Sequence, residues 1–148
     1  MESRIQKAVL NFKEGYNCSQ AVALAFSDIY HIESTMMARM ALPFGGGIGR
    51  MRCTCGAACG MFLLTGLEKE NFNPKNANDK MGNYKLVQAL AEKFKQANGA
   101  LTCSELLAMR KNKDLQNKTA PSCDKIVENT ARIFAQYLLS KEKNVSEQ

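Results

Sequence analysis

Four of the six cysteines directly follow a residue that favours the start of a helix: Asn17-Cys18, Thr54-Cys55, Thr102-Cys103 and Ser122-Cys123. Asn, Thr and Ser cap helices because a side-chain oxygen accepts an otherwise unpaired N–H of the first turn. Starts at these four places divide the chain into helix-sized pieces. Each pair also sets its cysteine at a first helical position, where the peptide dipoles favour a thiolate. One pattern thus constrains the fold and points to sulfur chemistry.

Helical periodicity fills most of the intervals. Expected helices run from about Glu2 to Tyr16, Cys18 to Tyr30, Ser34 to Ala41, Cys55 to Leu67, Asp79 to Gln96, onward from Thr102, and from Ser122 to about Leu139. Ile5, Val9, Leu10 and Phe12 form the expected inner face of the first. Pro43 stops the third, and Phe44-Gly45-Gly46-Gly47-Ile48-Gly49-Arg50 reads as an irregular loop that needs glycine's backbone freedom. Asn98-Gly99 reads as a C-cap, and Glu105 completes a capping box with Thr102. Lys111 to Ala120 reads as a polar loop, and residues 140–148 as a frayed tail. Trp is absent and Pro occurs only at Pro43, Pro74 and Pro121, which suits helices better than sheet.

The expected fold is all-α: one domain over residues 1–148, a helical bundle of about six to seven helices. If successive elements alternate in direction, the four cysteine-bearing N-termini gather at one end.

The net charge of +6 suits an anionic partner. The lysines are dispersed, no aromatic residues interleave with them, and no reader motif appears, so nucleic-acid binding is not expected. Ala57 to Leu67 is too short to cross a bilayer, and the charged start lacks an apolar h-region. No membrane insertion and a cytoplasmic location are therefore expected. In that reducing compartment, six cysteines point to metal binding or catalysis before a structural disulfide framework.

Cys55 and Cys59 are one helical turn apart, and Cys53 lies just before them. With Cys18, Cys103 and Cys123 they form a candidate ligand set for an iron–sulfur cluster or zinc. Alternatively, Cys55 is the leading redox thiol and Cys18, Cys103 or Cys123 resolves it. Cys59 also reads as a small buried apolar residue. Gly56 and Gly60, with Ala57 and Ala58 between, offer a lean surface for a cofactor or for close helix packing. Arg50 and Arg52 would put cationic charge beside Cys53 and Cys55. There is no Cys-x-x-Cys motif and no P-loop ending. Among other groups, His31 complements a helix C-terminus, Glu68 and Glu70 read as solvated charge, and Met36, Met37, Met40 and Met51 read as core.

The segment Cys55-Gly56-Ala57-Ala58-Cys59-Gly60 resembles the hallmark of the C-GCAxxG-C-C family of redox-active proteins. Tyr16-Asn17-Cys18-Ser19-Gln20-Ala21-Val22 and the glycine-rich lead-in before Met51 fit the same resemblance. The family's four cysteines correspond to Cys18, Cys55, Cys103 and Cys123. Cys53 lies outside the four, and Cys59 fills a variable position. The resemblance covers nearly the whole chain and implies a helical domain with a redox role. Four forms of that site stay open: a thiol–disulfide oxidoreductase, an iron–sulfur protein serving a redox partner protein, a structural zinc domain, or a non-catalytic interaction module.

Overall fold

Asn17 opens a helix through a reciprocal capping box. Its side chain accepts from the Gln20 N–H at 2.9 Å, and Gln20 Oε1 accepts from the Asn17 N–H at 3.0 Å. Local signals of this kind set most boundaries in the computed structural model, which describes residues 1–111 and 120–146. The α-helices are α1 (Glu2–Lys13), α2 (Cys18–Leu24), α3 (Ser34–Ala41), α4 (Gly56–Thr65), α5 (Ala77–Asn98), α6 (Cys103–Lys111) and α7 (Cys123–Ser146). Short 3-10 turns at Ser27–Tyr30 and Leu42–Phe44 follow α2 and α3. The fold is all-α. Extended pairing among the described residues is limited to an isolated antiparallel bridge between Thr54 and Thr102.

Several elements differ from the sequence expectation. Helix α1 ends at Lys13, before Gly15 at φ +109°. Its inner face is Ile5, Ala8 and Asn11, and Leu10 is 56% exposed. Asn11 tolerates burial because its Nδ2 donates to the Ala21 carbonyl at 3.2 Å. Helix α2 stops at Leu24 because Ala25 and Phe26 bond back three residues, to Val22 and Ala23, which tightens the turn. Glu33, not Ser34, caps α3, its carboxylate accepting from the Thr35 and Met36 N–H groups. Of the methionine group only Met37 is core, whereas Met36, Met40 and Met51 are exposed.

Asn76 starts α5 at Ala77, earlier than expected, by accepting from the Asp79 N–H at 3.0 Å. Gly99 at φ +105° ends α5 as its C-cap. Helix α7 continues past Leu139 through Ser146. Lys111 closes α6, while the rest of the expected loop at 112–119 and the tail at 147–148 lie outside the described residues.

Helix α2 packs against α1, α3, α4 and α7, and α7 also packs against α1, α4 and α5. Phe26, Phe94, Phe134, Met61, Leu64 and Val127 fill the core between them. The Phe26 and Phe134 rings meet edge-to-face at 5.0 Å. Helices α2 and α4 approach so closely that a Cβ added at Gly60 would stand 2.5 Å from the Ser19 carbonyl oxygen. Gly60 therefore serves helix packing.

The 3-10 turn at Ser27–Tyr30 and the C-terminal half of α7 converge on Glu68, just past the end of α4. Its carboxylate accepts from the Tyr30 hydroxyl, from the Tyr137 hydroxyl at 3.1 Å and from Lys141. The expected solvated charge at Glu68 is instead a largely buried polar tie. Burial, together with the neighbouring Glu68, pushes both tyrosine hydroxyls well above their ordinary pKa. No helix among the described residues is long and apolar enough to cross a membrane.

Candidate redox site

Where a chain places a cysteine at a helix start, the elements feeding that start decide what the sulfur meets. Cys18, Cys103 and Cys123 are the first residues of α2, α6 and α7. Cys55 stands one position earlier in its helix, as the N-cap of α4. Thr54 does not cap because the bridge to Thr102 takes it. The Cys55 N–H donates to the Leu101 carbonyl at 2.9 Å, and the Cys103 N–H donates to the Cys53 carbonyl at 2.7 Å. That short pairing ties the start of α4 to the start of α6. Thr102 does cap, its Oγ1 accepting from the Glu105 N–H at 3.3 Å.

Cys18, Cys55, Cys103 and Cys123 line one cavity of about 620 Å³, along with Gly56, Arg50, Arg52 and Arg110. Cys53, Cys59 and Gly60 do not line it. The exposed Cys53 thiol reaches the Met51 carbonyl at 3.9 Å, and the Cys59 thiol reaches the Thr54 carbonyl at 3.8 Å. Gly56 and Gly60 thus have separate roles. A Cβ added at Gly56 would stand 2.4 Å from Cys18 Sγ and 2.7 Å from the Phe44 carbonyl oxygen. Gly56 is where the backbone of α4 comes up against sulfur.

The glycine loop forms the cavity's other wall. Backbone φ is positive at every position from Gly46 to Arg50, and again at Arg52. Internal bonds close this left-handed stretch, from the Gly49 N–H to the Pro43 carbonyl at 2.7 Å and from the Cys53 N–H to the Gly47 carbonyl at 2.9 Å. A Cβ on Gly47 would collide with Cys103 Cβ at 2.6 Å. The loop's tight curvature carries Arg50 and Arg52 to the cavity.

The four thiols fall into two kinds. Cys55 is buried, and desolvation pushes it up to about 12, against the pull of the Ala57 and Ala58 N–H groups. Burial also raises Cys18, opposed by the Gly46 N–H and reinforced by Cys123. The helix-start effect expected to make Cys55 a thiolate is thus outweighed by removal from water. Cys59, outside the cavity, is likewise pushed up to about 11, chiefly by burial. Cys103 and Cys123 instead meet arginine: Arg52 Nη1 donates to Cys103 Sγ at 3.6 Å, and Arg110 Nη2 donates to Cys123 Sγ at 3.5 Å. Arg110 Nε also donates to the Pro121 carbonyl at 2.7 Å, which aims the guanidinium.

The sequence reading missed Arg110. Its only cue was a basic residue in the last turn of a helix, which ordinarily complements the dipole there. Arg52 was expected beside Cys53 and Cys55 but reaches Cys103. His31 and Glu68 line a separate cavity.

Thiolates suit zinc and iron–sulfur clusters. Among the described residues, however, no group of three or more His, Cys, Asp or Glu side chains is disposed to hold a metal ion. The six cysteines are free thiols. As arranged, Cys18, Cys55, Cys103 and Cys123 share one cavity.

Residues 16–137 match the family described as "putative redox-active protein (C_GCAxxG_C_C)". No curated protein and no solved structure gives a significant match. With the match spanning most of the chain, this protein belongs to the C_GCAxxG_C_C family.

Proposed function

We propose that the cavity carries out thiol–disulfide exchange with two dithiol pairs, Cys103 with Cys55 and Cys123 with Cys18. The supporting observation is the pairing of unlike thiols. Each pair joins a sulfur whose pKa burial raises, the buried Cys55 or the partly buried Cys18, to one held by an arginine. Charge on Cys123 raises the pKa of Cys18, and charge on Cys18 and, to a smaller extent, on Cys103 raises that of Cys55, so the four sulfurs lie within electrostatic reach of one another.

The chemistry follows from that asymmetry. The Cys103 thiolate attacks one sulfur of a disulfide substrate. A mixed disulfide forms and one substrate thiolate leaves. The Cys55 thiol then gives up its proton and attacks Cys103 Sγ. The protein disulfide forms, and the second half of the substrate leaves and takes the proton. Two electrons pass from the dithiol to the substrate, and no other reductant enters. Arg52 and Arg110 stabilise negative charge on the attacking or departing sulfur through charge-assisted hydrogen bonds. Burial keeps the resolving thiols protonated until they are used.

Timed alkylation of reduced protein, resolved by mass spectrometry, tests this reading. Cys103 and Cys123 are expected to label at least about tenfold faster than Cys18 and Cys55, as the arginine contacts of the first two and the burial that holds the proton on the other two favour. Disulfide-treated protein is expected to hold Cys55–Cys103 and Cys18–Cys123 links. Fastest labelling at Cys55, or a Cys53–Cys103 link in their place, would overturn the assignment. So would stoichiometric iron with sulfide, or stoichiometric zinc, bound to these thiols in anaerobically purified protein.

A further inference from the structure

The cysteine cavity has a charge that thiol exchange alone does not require. Arg50, Arg52 and Arg110 all line it, and no aspartate or glutamate does so among the described residues. Of the three arginines outside the cavity two are paired with acids, Arg4 with Asp28 and Arg132 with Glu2 and Glu128. None of the three cavity arginines has a carboxylate partner among the described residues. Acids in the first turns of α6 and α7 are engaged by their own neighbours. Glu105 accepts from Thr102, and Asp124 is held by Ser122 and the Lys125 N–H.

Three guanidiniums with no carboxylate partner among the described residues make this concave surface cationic. They raise the local concentration of anions and reject cations. Arginine's planar fork matches a carboxylate in particular. The remaining lining supplies a complementary apolar surface in Phe12, Leu106 and Ile126, suited to a short aliphatic stem. The volume falls in the range that takes small molecules.

We propose that the cavity selects low-molecular-weight disulfides that carry carboxylates, and the thiols formed from them. The arginines hold the carboxylates while the disulfide lies against Cys103 and Cys123. This proposal rests on the exchange reading above and adds the substrate's charge to it. The covalent step is the same: Cys103 Sγ bonds to one substrate sulfur, the substrate S–S bond breaks, and a carboxylate-bearing thiolate departs.

Three small disulfides of similar size and different charge separate the two claims. Reduced protein would react with dithiodipropionic acid (an anion at neutral pH), hydroxyethyl disulfide (neutral) or cystamine (a cation). The rate of modification at the Cys103 peptide would be read by mass spectrometry. At low ionic strength the anion is expected to react roughly tenfold faster than the neutral probe, and the cation several-fold slower. Raising salt to about 0.5 M is expected to erase most of that preference by screening. In Arg50→Gln, whose arginine holds no sulfur, the anion-to-neutral ratio is expected to fall several-fold.

Equal rates for the anionic and neutral probes in the wild-type protein would overturn the anion-selective site and leave the exchange reading standing. Failure of all three probes to modify Cys103 would overturn the exchange reading, and this proposal with it. The wild-type series and its salt dependence decide the matter even if Arg50→Gln folds poorly.

Discussion

Gly60→Ala is expected to destabilise the protein by about 1–3 kcal/mol, and Gly82→Ala to stabilise it by about 0.5–1 kcal/mol. Both glycines lie inside helices, so alanine gains the same helical propensity at each. What differs is the space. A Cβ at Gly82 meets nothing within 4 Å. At Gly60 it meets the Ser19 carbonyl oxygen at 2.5 Å and Ser19 Cα at 3.1 Å. Those atoms are backbone of α2, so relief requires moving one helix from another. Ser19 is fully buried, and its own Oγ has no partner, so little slack exists there. For a chain of this size the Gly60 change corresponds to a melting shift of roughly 3–10 °C downward. Urea denaturation of both variants checks the prediction. Two changes of the same sign would show that the α2–α4 contact is looser than described.

The second large effect is a loss of stability in alkali. The Cys55 thiol lies near 9 when free of the fold and at about 12 within it. The folded protein therefore holds that proton more tightly than the unfolded chain. The stabilisation is complete below about pH 9 and disappears as pH rises toward about 12. Its full size is on the order of 3–4 kcal/mol. Cys18 and Cys59 add in the same direction, as do the tyrosines at Glu68. Cys55→Ser isolates the contribution of one residue, since serine does not titrate in this range and is a favourable N-cap. Unfolding free energies of wild type and variant, measured at pH 8 and at about pH 11, are expected to converge by about 2–3 kcal/mol in the variant's favour. Parallel curves would mean that Cys55 is not desolvated.

Much of the fold was legible in the sequence because its signals are local. Asn17 with Gln20, and Gly99 after Asn98, act within a few residues, and no distant partner can override them. Thr54 misled for the opposite reason. Its partner Thr102 is remote in sequence, and pairing with it moved the start of α4 by one position. Leu10 left the expected inner face of α1 because that face takes Asn11, a polar group that finds a carbonyl on α2. Glu68 looked like surface charge until two tyrosines and Lys141 from other helices closed over it.

At the candidate site the residue types were legible and their chemical states were not. A helix start favours a thiolate wherever water can reach the sulfur. Whether water reaches it depends on packing, and the packing around Cys55 reverses the outcome. Arg110 illustrates the same limit, since its role depends on Pro121, beyond residues 112–119.

The left-handed stretch before α4 also sets a limit on how the molecule can be improved. Ile48, Arg50 and Arg52 hold side chains at φ near +60°, where each costs about 1–2 kcal/mol that glycine would not incur. Replacing either arginine with glycine would relax the backbone while stripping charge from the cavity wall. Ile48 lies outside that conflict, so it is the position at which ease of folding could be gained without touching the guanidiniums.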